Sequence, residues 1–146
     1  MVSRWLLVVV LVVIATGAMS FFVPAAGEPW KESQLLAPAA LAKVINDPAA
    51  HKPLIFSVGP GADIKGSIEI GPAQDAANLQ KLRSALSKID RNEEVVLVCG
   101  CCPFANCPNI RPAFNLLNNM NFTRHKLLNL PHNLKVDWIS KGYPMN

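Results

Sequence analysis

Short apolar runs alternate with longer amphipathic stretches along most of this chain. The apolar runs predict buried strands at Leu54–Val58, Ser67–Ile70, Val95–Val98 and Lys126–Leu130. Apolar residues at helical spacing predict helices at Leu36–Ile45, Ala76–Ile89, Ala113–Met120 and Asn133–Lys141. Such alternation predicts an α/β fold with a central, mainly parallel sheet of about five strands and helices on both of its faces.

The N-terminal segment differs in composition from the rest of the chain. Arg4 is the only charged residue before Glu28, and Trp5–Val23 is an almost unbroken apolar run. A short basic start followed by an apolar stretch is typical of an export signal, and this stretch is also nearly long enough to span a bilayer as a helix. The sequence is compatible with a cleaved signal peptide and with an uncleaved anchor, and in either case we expect the domain to cross the membrane.

These features divide the chain into three parts. We predict that residues 1–25 are a signal peptide or an N-terminal membrane anchor, that residues 26–34 are a linker, and that residues 35–146 form one domain. Trp30 is expected to be the first residue that packs on the domain. We expect an exported protein, periplasmic or extracellular, that contacts a membrane only through residues 5–23 if that segment is not cleaved. The net charge of +4 comes without a run of Lys or Arg, so no nucleic-acid partner is expected.

All the cysteines of the chain fall within one short segment, at Cys99, Cys101, Cys102 and Cys107. Exported proteins form disulfides, but scaffold cysteines are usually spread along a chain, and a bond that closes so short a loop adds little stability. The segment follows the predicted strand Val95–Val98 and precedes a predicted helix. Functional groups of parallel sheets gather beyond the carboxyl ends of the strands. We therefore interpret Cys99–Cys107, the cysteine loop, as the functional site.

Several segments match motifs of one protein family in order and spacing. They are LIFSVG (Leu54–Gly59), IKGSIEI (Ile64–Ile70), VVLVC (Val95–Cys99), the pair Asn121-Phe122 after the third predicted helix, and DWISKGYP (Asp137–Pro144). On these motifs the sequence resembles the rhodanese-like domain family of persulfide-forming sulfurtransferases and their relatives, over about residues 30–146. The VVLVC segment matches the strand that delivers the catalytic cysteine of that family, and the last segment matches its closing Trp-x-x-x-Gly-x-Pro.

The resemblance implies a rhodanese-like fold and a sulfurtransferase that carries a persulfide on Cys99. The implied site consists of the catalytic Cys99, the secondary thiols Cys101, Cys102 and Cys107, and Gly100 and Arg111 as substrate-binding residues. Its partners would be a small sulfur donor or acceptor, or the thiol of a partner protein, and no cofactor is required. Loop N–H groups and the N-terminus of the following helix predict a lowered pKa for Cys99.

The sequence also departs from the pattern of the family. Ser57 and Gly59 replace the usual Asp and Arg, and Asp63 replaces a His. No arginine lies between Cys99 and Arg111, although family members that act on thiosulfate commonly carry basic residues in this loop. We therefore predict weak activity with thiosulfate.

Other chemistry fits the same cysteines. Cys99 and Cys102 form a C-x-x-C pair that is typical of thiol-disulfide exchange. Four thiolates also suit Zn²⁺ or Cu⁺, although the spacing is not that of a zinc ribbon. A catalytically silent relative that serves as a binding domain is a further alternative. His125 and His132 are interpreted as surface residues, and His132 approaches the cysteine loop if its strand neighbours that of Cys99.

Overall fold

The structure is a computed structural model that describes residues 27–146. The predicted signal peptide or anchor at residues 1–25 lies outside the described residues. Within residues 27–146, no helix is both long and apolar enough to cross a membrane. The strands are β1 Leu35–Leu36, β2 Leu54–Ser57, β3 Ser67–Glu69, β4 Val95–Val98 and β5 His125–Leu128. The α-helices are α1 Pro38–Asn46, α2 Ala76–Leu86, α3 Ile110–Asn119 and α4 Leu134–Asp137, with short 3₁₀ helices at Glu32–Gln34, Phe104–Asn106 and Ile139–Lys141.

The five strands form one parallel sheet in the order β1-β5-β4-β2-β3. β4 lies at the centre, where it pairs with β2 and β5, so that Val96 is opposite both Ile55 and Lys126. All four residues of β4 are buried, as expected of a central strand of a parallel sheet covered on both faces. The sequence-based prediction of an α/β fold with a parallel sheet of about five strands is confirmed.

Side chains that alternate along β4 divide the core into two parts. Val95 and Leu97 pack with the buried faces of α2 and α3, whereas Val96 and Val98 pack with α1 and with Leu134 of α4. The predicted arrangement of helices on both faces is therefore confirmed. Cys99, the residue after β4, packs on the same side as α2 and α3.

Two predicted helices differ from the observed ones. The segment Leu36–Ile45 was expected to be helical from Pro38, and α1 does begin at Pro38, but Leu36 lies outside it and forms β1 with Leu35, paired with β5. A strand of two residues has no periodicity to read, and only its pairing partner defines it. The last predicted helix, Asn133–Lys141, is interrupted at Trp138, whose backbone leaves the helical region at φ −129°. That change of direction buries the indole completely, and its Nε1 donates to the carbonyl of Pro144 at 3.1 Å.

Candidate functional site

The cysteine loop lies at the carboxyl end of the central strand, and its sulfurs converge. All four Sγ atoms lie within 4.8 Å of one another. Cys99 directly follows β4. Cys107 lies two residues before Asn109, which is the N-cap residue of α3. All four cysteines are free thiols. The sequence-based inference that these residues form one site agrees with this geometry.

Backbone hydrogen bonds hold the cysteine loop against the segment that follows β5. Phe104 N–H donates to the carbonyl of Leu130 at 3.1 Å, and Leu134 N–H donates to the carbonyl of Gly100 at 3.1 Å. Gly100 is tightly enclosed, because a Cβ there would lie 2.9 Å from the carbonyl oxygen of Gly61 and 3.2 Å from the Cβ of Leu134. The loop therefore has a fixed position although it contains only one short 3₁₀ helix.

The four thiols fall into two classes by burial. Cys99 and Cys107, the inner pair, are 2% and 0% exposed. Cys101 is exposed and Cys102 is half-buried, and we call them the outer pair. The outer pair is close to the inner pair, since the Sγ of Cys101 lies 3.5 Å from that of Cys99 and 3.3 Å from that of Cys102.

Asn109 is the polar residue that holds the inner pair, and it was not predicted from the sequence. Its Nδ2 donates to the sulfurs of Cys99 and Cys107, at 3.8 Å each. Its Oδ1 accepts from the backbone N–H of Gln74 at 3.1 Å, which joins the cysteine loop to the loop before α2. The side chain is buried, so each of these bonds satisfies a group that is shielded from water. The third helix was predicted from Ala113, four residues after Asn109, but α3 begins at Ile110, which makes Asn109 its N-cap residue. Asn is common at that position, and this was the signal available in the sequence.

Gly59 provides the space for the Cys99 thiol. A Cβ at Gly59 would overlap the sulfur of Cys99 and lie 3.2 Å from Nδ2 of Asn109. The buried Ser57 donates its hydroxyl to the Gly59 carbonyl at 3.3 Å, which fixes the backbone at this point. Any side chain at position 59 would therefore compete with the Cys99 sulfur for the same space.

The negative charge of the cluster is favoured on Cys107. Its pKa is lowered to about 5, first because the Cys99 thiol donates to it, and also because the N–H groups of Asn109 and Ile110 at the start of α3 donate to it. The pKa of Cys99 is raised by that same hydrogen bond and by burial, and burial with a bond from Cys101 raises the pKa of Cys102 to about 12. The prediction of a lowered pKa at Cys99 is therefore wrong. The N-terminus of α3 stabilises the thiolate of Cys107, which shortly precedes the helix, rather than that of Cys99 at the end of β4.

Arg111 does not contact the thiols through any described hydrogen bond, although it was predicted to bind substrate. Its guanidinium donates to Oε1 of Glu28 at 2.6 Å and to the carbonyl of Ala105 at 2.8 Å, and it lies over the ring of Trp30 at 5.4 Å. Trp30 also contacts Phe104, with ring centroids 5.9 Å apart. The expected packing of Trp30 on the domain is confirmed, and its contact with the cysteine loop is the one to the Phe104 ring.

The two histidines named from the sequence lie in different places. His125 is buried at the first residue of β5, at the opposite end of the sheet from the cysteines, so the interpretation of this residue as a surface histidine is wrong. His132 is exposed, and its Nδ1 lies 2.9 Å from Oδ1 of Asp137. It belongs to the segment that is hydrogen-bonded to Gly100 and Phe104, but it is not among the residues whose ligand atoms cluster with the thiols.

No protein-family model and no curated protein matches this chain. Four sulfurs that lie this close together can share protons, form a disulfide, or bind one soft cation. Around a tetrahedral Zn²⁺ with Zn–S bonds of about 2.3 Å, the sulfurs lie about 3.8 Å apart. The observed distances between Sγ atoms run from 3.3 Å to at most 4.8 Å, a range that includes this value. The cysteines are thus within metal-binding distance of one another.

Proposed function

We propose that the cysteine loop binds one thiophilic cation, Cu⁺ or Zn²⁺. The observation that carries the proposal is the convergence of four Sγ atoms within 4.8 Å of one another at the end of the central strand. Thiolates select these two metals over the harder cations that prefer oxygen. Only small movements separate the closest sulfur pairs, at 3.3 and 3.5 Å, from the spacing around a tetrahedral metal.

The surroundings of the inner pair suit thiolate ligands. Asn109 donates to both sulfurs, and two N–H groups at the start of α3 donate to Cys107. Such donors orient metal-binding thiolates and offset part of their charge. Without metal, the raised pKa values of Cys99 and Cys102 keep these two thiols protonated, so metal binding to them releases protons.

The core does not depend on a metal. Buried apolar residues from all four α-helices and from the sheet form its two halves, and the cysteine loop is fixed by backbone hydrogen bonds at Gly100 and Phe104. We therefore expect the metal-free domain to be folded. A small domain that needs its zinc for folding would instead have few buried apolar residues.

The test is a metal titration of the purified protein, with Zn²⁺ in air-free buffer and with Cu⁺ under reducing conditions, each against a chromophoric chelator of known affinity. We expect one metal per chain. We expect Cys107→Ser to weaken metal binding by at least about 100-fold, because removing a ligand should cost more than removing a hydrogen bond to a ligand. Ser84→Ala, on the exposed face of α2, is the control and should bind as the wild type does. Equal binding by the wild type and Cys107→Ser would contradict the proposal.

Sulfur transfer is a second candidate, and one observation favours it. Cys99 follows the central strand of a parallel sheet, in the place that the family resemblance gives to the catalytic cysteine, and the anion favoured on Cys107 lies in hydrogen-bond contact with it. The Cys107 thiolate would take the proton of the Cys99 thiol, and the resulting Cys99 thiolate would attack the sulfane sulfur of a donor. This attack forms a persulfide on Cys99 and releases the rest of the donor with the bonding electron pair. Treating the metal-free protein with a sulfane donor should then add the mass of one sulfur, and Cys99→Ser should prevent it. An unchanged mass would exclude this candidate and leave metal binding untouched.

A further inference from the structure

We propose that the metal is cargo, and that the outer pair, Cys101 and Cys102, passes it to the thiolates of an acceptor protein. This inference rests on the proposed metal binding and concerns what the site does with the metal. The juxtaposition that carries it is two buried sulfurs and two accessible sulfurs in one cluster.

The four sulfurs differ in their burial. Structural tetrathiolate sites are closed, with all ligands engaged and shielded. Here Cys99 and Cys107 are at most 2% exposed, whereas Cys101 is open to solvent and Cys102 is half-buried. A metal held by these sulfurs would be covered on the inner side and reachable on the outer side. An incoming ligand therefore has one direction of approach, toward the outer pair.

The inner and outer pairs also differ in how they are held in place. The inner pair is held by the Asn109 side chain and by regular structure on both sides, β4 before Cys99 and α3 after Cys107. The sulfurs of the outer pair hydrogen-bond only to other cysteines within the described part of the chain. Cys101 and Cys102 lie in a bend outside any helix or strand. The outer ligands can therefore leave a metal while the inner ligands keep it.

The part of the loop around the outer pair is uncharged. No charged residue lies between Cys99 and Arg111, and Arg111 is itself paired with Glu28. Around the outer pair, the loop offers Pro103 and Phe104 rather than charge, and both are half-buried. Such a rim suits a protein that brings its own thiols and contacts the loop through apolar groups, and it gives little attraction to an anionic chelator. Transfer should accordingly depend weakly on ionic strength.

The transfer step is ligand exchange without redox change. A thiolate of the acceptor forms a bond to the metal as the bond between Cys101 and the metal breaks, and a second acceptor thiolate replaces Cys102 in the same way. The released cysteine sulfurs take up the protons that the acceptor thiols gave up, directly or through water. The inner pair releases the metal last. The metal keeps its oxidation state, so no oxidant or reductant is needed.

The experiment starts from metal-loaded full-length protein, and the metal content is measured first. Failure to bind metal would overturn both proposals, and it would be detected at this stage, before any transfer is attempted. The acceptor probe is a synthetic peptide with a Cys-x-x-Cys pair, and its Ser-x-x-Ser counterpart is the control. We expect the rate of metal loss to rise in proportion to the concentration of the dithiol peptide and to be unaffected by the control peptide. A rate that is independent of peptide concentration, with the metal firmly bound at equilibrium, would identify a closed structural site and overturn the inference.

Cysteine labelling supplies a second, independent measurement. Brief treatment of the loaded protein with an alkylating reagent, followed by peptide mass mapping, should modify Cys101 first and leave the inner pair protected while metal remains bound. In chelator competition, Cys101→Ser should lose at least about tenfold less affinity than Cys107→Ser, a difference that is read directly from the two dissociation constants. Equal protection of all four cysteines, together with equal losses in the two variants, would contradict the inference.

Discussion

The two ends of the sheet carry polar groups of different kinds. At the amino end, charged side chains pair at the surface, with Glu94 binding Arg124 at 3.2 Å and Lys126 at 3.1 Å. At the carboxyl end of β4, four sulfurs and the amide of Asn109 contact one another, and Cys99, Cys107 and Asn109 are buried. One set of parallel strands supports both ends, so the fold alone does not decide where chemistry occurs.

The two ends differ in how far water can reach their polar groups. Exposed ion pairs are screened by solvent and contribute little to stability. Buried sulfurs cannot exchange their partners for water, so each must share a proton or a cation with its neighbours. The shift of charge onto Cys107 and away from Cys99 is one result. Substitutions at the carboxyl end should therefore have larger effects than equivalent substitutions at the amino end.

The largest effect among single substitutions outside the cysteines is expected for Asn109→Asp. The carboxylate keeps an acceptor for the Gln74 N–H, but it removes the donor to both inner sulfurs and adds a negative charge beside them. We expect metal affinity to fall by about 10- to 100-fold in the chelator competition. Asn118→Asp makes the same chemical change at the exposed end of α3, and it should leave metal affinity unchanged. Similar losses in both variants would contradict a specific role for Asn109.

Gly59→Ala should be the next most disruptive change. Its methyl group would overlap the sulfur of Cys99, so the thiol or the strand end has to move. We expect a loss of about 1–3 kcal/mol in the free energy of unfolding, measured by urea denaturation, and faster alkylation of Cys99. Gly27→Ala is the control, because no heavy atom lies within 4 Å of a Cβ at that position. Equal stability of the two variants would show that the space beside Cys99 is not needed.

At the amino end, His125 should make stability depend on pH. Burial lowers the pKa of His125 in the folded protein, with a smaller opposing effect from a backbone hydrogen bond to Phe122. The unfolded chain therefore binds the proton more readily, and stability is lost as the pH falls below about 6.5, the ordinary pKa of histidine. Denaturant midpoints between pH 5 and 8 should decrease on the acid side in the wild type. His125→Gln should have a flatter profile over that range, and an unchanged slope would assign the dependence to another group.

The smallest effect is expected for the surface ion pairs of Glu94. Glu94→Gln breaks the pairs with Arg124 and Lys126, whose side chains are 59% and 36% exposed. We expect a change in unfolding free energy of less than about 1 kcal/mol, which decreases further at high salt. A double-mutant cycle with Lys126→Gln measures the coupling between the two residues. A loss as large as that of Gly59→Ala would remove the distinction between the two ends of the sheet.

Four of the five strands and the position of the site followed from local patterns. The apolar run Val95–Val98 predicted the central strand, and the cysteines directly after it predicted a site at the carboxyl end of the sheet. These features depend on burial periodicity and on chain order, which the sequence contains in full. The pair Leu35–Leu36 was missed as a strand, because only pairing with β5 gives it that structure.

Which sulfur carries the charge, and which sulfurs face solvent, was decided only by the tertiary structure. The sequence placed Cys99 and Cys107 near the same predicted helix, but it did not fix which of them meets the helix N–H groups. Asn109 and Gly59 reach the inner pair from different segments of the chain, and their contacts are set by how the loops pack at the strand ends. Electrostatic shifts depend on distances of a few ångströms between such segments, and no spacing along the chain determines those distances.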